Sequence, residues 1–66
     1  MNNNHSSGMP IGFAMALAHN PKAMNTFLKL EDEKQDSIIN KAKETKTMRE
    51  MQQLVDNISA TYNGFM

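Results

Sequence analysis

Thr47-Met48-Arg49-Glu50-Met51-Gln52-Gln53-Leu54-Val55-Asp56-Asn57-Ile58-Ser59-Ala60 sets Met48, Met51, Leu54, Val55 and Ile58 on one side of a helix and Gln52, Gln53, Asp56 and Asn57 on the other. Apolar residues three to four apart line one face at 3.6 residues per turn, so this stretch reads as an amphipathic helix over 48–61. Its start is marked as well. Thr47 and Glu50 have the spacing of a capping box, in which the Thr hydroxyl accepts from an orphan N–H and the Glu carboxylate reaches back to the Thr47 N–H. At the other end, Asn63-Gly64 fits a left-handed stop, after which Phe65 and Met66 fold back or fray. Leu54 stands mid-stripe and is expected at the centre of the core.

Upstream, 32–44 opens with Asp32-Glu33-Lys34-Gln35, where Asp32 can cap and Gln35 reach back, and it carries Ile38, Ile39 and Ala42 on one stripe. The acidic start (Glu31, Asp32, Glu33, Asp36) and basic end (Lys41, Lys43, Lys46) match a helix macrodipole. Further back, Asn20-Pro21 joins a preferred N-cap to a residue pre-set for the first helical position. A helix over 21–29 follows, with Met24, Phe27 and Leu28 on its apolar side. Before it, Pro10 opens a helix over 11–19 made of Ile11, Phe13, Ala14, Met15, Leu17 and Ala18 around Gly12. Being apolar nearly all round, that helix is expected to be buried on most sides.

No segment alternates as a strand does. The fold class is therefore all-α, a compact bundle of three to four short helices (about 11–19, 21–29, 32–44 and 48–61). Residues 1–9, Met-Asn-Asn-Asn-His-Ser-Ser-Gly-Met, offer little to bury against the entropy of ordering them, and read as a disordered leader to a single helical domain over 10–66. The chain has 66 residues, seven Lys and Arg against seven Asp and Glu, and 39% hydrophobic residues. That excludes a second core, a highly charged disordered tail and a basic nucleic-acid arm. With no Cys, disulfides and thiolate zinc sites are unavailable as staples, so stability falls to helix packing or self-association. The longest apolar run, Ile11 to Ala18, is eight residues, against the ~18 of a membrane span. Without a basic start or a small-residue cleavage site, the N-terminus does not read as an export signal, and a cytoplasmic protein is expected.

The pattern Pro10-x-Gly12-Phe13-x-Met15-Ala16-Leu17-Ala18-x-Asn20-Pro21-x-Ala23-Met24-x-x-Phe27 resembles the opening of short uncharacterised all-helical proteins of anaerobic Gram-positive bacteria. The likeness continues through the last helix, over about 10–58. Phe27, Leu30, the acidic Glu31 to Asp36, Ala42-Lys43 and Thr45-Lys46 are also similar, more weakly, to the C-terminal helical segment of the YdeI/OmpD-associated (bacteriocin-protection) family. In that family the segment follows a larger domain, absent here, and its final helix is more basic than Met48, Glu50, Met51 and Gln52 make this one. The likeness therefore implies a fold rather than a function. Neither resemblance implies a catalytic residue.

The inventory for catalysis is thin. No Cys nucleophile exists, His5 lies in the leader, and His19 sits at a helix end with no His, Asp or Glu within ten residues, whereas a metal site wants at least three convergent ligands. Glu31, Asp32, Glu33 and Asp36 lack the loop spacing of a calcium site and read as a solvated helix start. No enzyme, cofactor or metal is expected. Two surfaces remain. Lys41, Lys43, Lys46 and Arg49 surround the turn before the last helix, where a helix-turn-helix regulator would meet phosphate, although zero net charge denies it long-range attraction. Met48, Met51 and Leu54, in a chain with seven Met against four Leu and four Ile, are either core or an adaptable groove for a partner. The sequence thus favours a non-enzymatic module that binds an unknown protein partner or its own copy, with a helix-turn-helix nucleic-acid-binding regulator as the alternative.

Overall fold

A computed structural model describes residues 8–62 of the chain. These form four helices: α1 Ile11–Ala18, α2 Pro21–Lys29, α3 Asp32–Glu44 and α4 Met48–Tyr62. No strand occurs among the described residues. The first seven residues of the expected leader, the Asn63-Gly64 stop, Phe65 and Met66 lie outside the described residues. Of the rest of the leader, Met9 packs against the core. Helical order is thus preceded by at least one residue with a packing role.

Asn20 explains why α1 ends and α2 begins where they do. Its side-chain oxygen accepts from the Ala23 N–H at 3.1 Å, satisfying one orphan donor of α2, and Pro21 follows at the first helical position. Thr47 does the same for α4, its hydroxyl accepting from the Glu50 N–H at 3.1 Å. The capping box departs from expectation in its second arm, because the Glu50 carboxylate accepts from the Lys46 N–H at 2.8 Å, one residue earlier than Thr47. The start of α3 also differs. Glu31, not Asp32, holds the cap position and makes no side-chain cap bond, while Gln35 donates to the Phe27 carbonyl at 2.9 Å. The amide thereby ties α3 to an end carbonyl of α2.

The core is Phe13, Ala16 and Leu17 from α1, Ala23 and Phe27 from α2, Ile38 and Ala42 from α3, and Met51, Val55 and Ile58 from α4. Every helix contributes, but α1 and α2 pack chiefly on α4, with α3 touching α4 less. Phe13 and Phe27 meet edge to face, their centroids 5.4 Å apart at 75°, a geometry that contributes about 0.5–1.5 kcal/mol beyond burial. Gly12 lies under the Met48 and Met51 side chains: a Cβ there would stand 3.3 Å from the Met48 sulfur and 3.6 Å from Met51 Cε. Farther along, the Gln52 amide lies 3.5 Å from the Ala16 carbonyl, and the Asn20 amide donates to Asp56 at 2.9 Å. These three points of contact keep the same offset of 36 residues, so α1 and α4 run parallel and in register.

Three placements correct the sequence reading. Leu54 is half-buried at the edge of the core, and the fully buried Val55 holds the centre of α4's stripe. On α2 the buried line is Ala23 and Phe27, with Met24 partly buried and Leu28 65% exposed. The first helix is not enclosed: Ile11 is 77% and Met15 51% exposed, and Ala14 and Ala18 face solvent with them. A short helix resting on α4 with α2 beside it has neighbours on one side, and an apolar composition cannot create more.

Candidate interaction surface

The proposed groove residues separate by depth. Met51 is buried, and its sulfur lies 3.5 Å from the Thr45 hydroxyl, which donates to the Ala42 carbonyl at 2.8 Å. Leu54 is half-buried and Met48 is 54% exposed. They do not form one groove. Instead Met48 reaches over Gly12 toward α1, and Gly12 and Met15, three apart, are neighbours on the α1 surface. On α1, Ile11, Ala14, Met15 and Ala18 form one exposed apolar line, and Met48, itself 54% exposed, meets α1 at Gly12. Leu28, on α2, is exposed apart from it in the chain. Isolated surface hydrophobics are ordinary, whereas a contiguous patch marks a contact surface.

The sequence contained the signal for this patch. An eight-residue helix with no polar residue, Ile-Gly-Phe-Ala-Met-Ala-Leu-Ala, must leave some apolar side chains in water unless it is enclosed on every side. Phe13, Ala16 and Leu17 take the α4 side, and by helical geometry Ile11, Ala14, Met15 and Ala18 are left at offsets of three, four and seven.

Lys41, Lys43, Lys46 and Arg49 are all exposed around the α3–α4 turn. Lys41 and Lys43, two apart on the last turn of α3, point to nearly opposite sides of it. Lys43 extends toward Gly8, whose ideal Cβ would stand 2.8 Å from its ammonium nitrogen. Arg49 lies on the first turn of α4, where Thr47 engages one orphan N–H, that of Glu50, and the Glu50 carboxylate accepts from the Lys46 N–H. The four charges thus bracket a corner and do not line one face. His19 is exposed after the last turn of α1, its N–H bonded to the Met15 and Ala16 carbonyls at 3.2 and 3.1 Å. Among the described residues no three His, Cys, Asp or Glu side chains converge as metal ligands, and no helix is long and apolar enough to cross a membrane.

A polar seam joins the corner between α1 and α2 to α4. Asp56 accepts from Asn20 at 2.9 Å and from Gln52 at 3.1 Å. The spacing of Gln52 and Asp56, one turn apart, was visible. Their partner, 36 residues away, was not.

Comparison with protein-family models, with curated proteins and with solved structures returns no match.

Proposed function

We propose that this chain is a small cytoplasmic interaction module, non-enzymatic, that acts through helix-to-helix contact with a protein partner or a second copy of itself. The observation that carries the reading is the exposed apolar line of Ile11, Ala14, Met15 and Ala18 on α1, with the exposed Met48 seated over Gly12, in a fold whose core is already filled by other residues. Thioethers suit such a surface because they are flexible and polarizable. Affinity capture from native lysate with the intact chain and with an Ile11→Lys/Met15→Lys/Met48→Lys variant tests it. Partners recovered by the intact chain and lost by the variant, or self-association of the intact chain in sedimentation equilibrium that the variant lacks, support the reading; equal behaviour of the two in both measurements overturns it.

The alternative, a nucleic-acid-binding helix-turn-helix regulator, is favoured by the exposed corner of Lys41, Lys43, Lys46 and Arg49. Against it, α4 is the central packing helix, and its exposed positions Glu50, Gln53, Asp56 and Asn57 add acid and amide rather than positive charge beyond Arg49. Retention on heparin that disappears at moderate salt would transfer the assignment to this second reading.

A further inference from the structure

We propose that Met48 is an oxidation site through which peroxide loosens the first turn of α1 from α4, whatever the exposed face of α1 binds. That turn is thinly held. Pro10, at its cap position, gives it no side-chain bond, and Ile11 is 77% exposed. It meets α4 at Gly12, where the missing side chain lets two thioethers close in: a Cβ there would stand 3.3 Å from the Met48 sulfur and 3.6 Å from Met51 Cε. The two methionines differ in what reaches them. Met51 is 7% exposed, its sulfur 3.5 Å from the Thr45 hydroxyl, whereas Met48 is 54% exposed. Met15 is as open as Met48, at 51%, but stands on the exposed line of α1. Met48 alone of the three is both reachable from water and seated against the neighbouring helix.

The oxidant is hydrogen peroxide. A lone pair of the Met48 sulfur attacks one peroxide oxygen, the O–O bond breaks as the S–O bond forms, and the second oxygen leaves as water, taking the proton of the first. Sulfur gives up two electrons and peroxide accepts them. The product replaces a pliable apolar group by a polar, chiral sulfoxide. In one epimer the new oxygen points at Gly12, into a contact where even a Cβ would be tight. In the other it points to solvent and draws water to the edge of that contact. Either way dispersion between thioether and helix is exchanged for hydration, and a polar oxygen gains nothing from the apolar side chains around it. Lacking a side-chain cap, the first turn gives way before the rest of α1, which Ala16 and Leu17 hold in the core.

The test treats the intact chain with hydrogen peroxide and locates the sulfoxides by peptide mass spectrometry. Met15 and Met48 should be oxidised first, and Met51 at least about tenfold more slowly, because its sulfur must wait for the fold to open. Amide hydrogen exchange then reads the consequence. In the oxidised chain the Phe13 and Ala14 amides, both bonded to the Pro10 carbonyl, should exchange about tenfold faster, with the Gln35 amide of α3, bonded to the Glu31 carbonyl, unchanged. Met15→Leu should leave that response in place and Met48→Leu should abolish it. Both substitutions conserve volume at exposed positions, so the helical circular dichroism before oxidation should match that of the intact chain. Met51 oxidised as fast as Met48 overturns the proposal, as does a Met48 sulfoxide that leaves Phe13 and Ala14 exchange unchanged. An exchange response that survives Met48→Leu overturns it too, since it would come from another methionine.

Discussion

Truncating Val55 should destabilise the fold more than truncating Leu54, although valine is the smaller side chain. Val55 is fully buried, and Val55→Ala removes two methyl groups from closed space, about 1.6 kcal/mol of transfer at about 0.8 kcal/mol per carbon. The void cannot fill with water, and at about 24 cal/mol per Å3 a cavity of roughly 50 Å3 adds about 1 kcal/mol. Leu54→Ala removes three carbons, but the half-buried site gives back only about half of their transfer energy, about 1.2 kcal/mol, and opens to solvent instead of leaving a cavity. Alanine's better helix propensity returns up to about 0.7 kcal/mol, more to the β-branched valine than to leucine. The net expectation is about 2 kcal/mol for Val55→Ala and about 1 kcal/mol for Leu54→Ala. Urea unfolding followed by circular dichroism resolves the difference if the slopes of the two transitions are equal. By melting, each kcal/mol corresponds to about 4–8 °C in a domain of this size. A Leu54→Ala cost equal to or above that of Val55→Ala would refute the placement of the core on the Met51, Val55 and Ile58 line.

Thr47→Ala should cost about 0.5–2 kcal/mol through loss of the bond to the Glu50 N–H, with Thr61→Ala, exposed in the last turn of α4, nearly silent in the same melts. Asn20→Asp should destabilise by about 0.5–1 kcal/mol even though Asp caps helices as well as Asn, because it replaces the amide donor facing Asp56 with a carboxylate; adding Asp56→Asn should recover most of the loss. Paired Phe13→Leu and Phe27→Leu substitutions should show a coupling of about 0.5–1.5 kcal/mol in a double-mutant cycle, whereas strict additivity would deny the edge-to-face contact.

What the sequence made legible was local. Asn20-Pro21 and Thr47 place helix starts by satisfying nearby N–H groups, and both act where the residues alone put them. The four helical ranges follow for the same reason. Depth was less legible, since it depends on which neighbours a helix acquires. On α4, a stripe of five apolar residues is wider than the contact with α1 and α2, and periodicity cannot say whether Leu54 or Val55 lies at its middle. Side-chain reach was hidden too. Gln35 binding the Phe27 carbonyl and Glu50 binding the Lys46 N–H are choices among close alternatives, decided by the arrival angle of the preceding segment. For the candidate surface, the residue types were evident in α1, but their exposure depended on the number of helices available to cover it.

The parallel, in-register alignment of α1 with α4 also bears on the birth of the chain. Gly12, Ala16 and Asn20 find their counterparts at Met48, Gln52 and Asp56, so α1 can meet α2 early but has no seat on α4 until a segment 36 residues later has been synthesised. Through that interval α1, which has no polar side chain, has only α2 to rest on. A translation pause within the α4 segment holds α4 inside the ribosome while α1 is already emerging, and so lengthens the exposure of α1 to chaperones and to other nascent copies. Synonymous codon choice in the α4 segment should therefore influence the yield of folded protein more strongly than the same choice in α2.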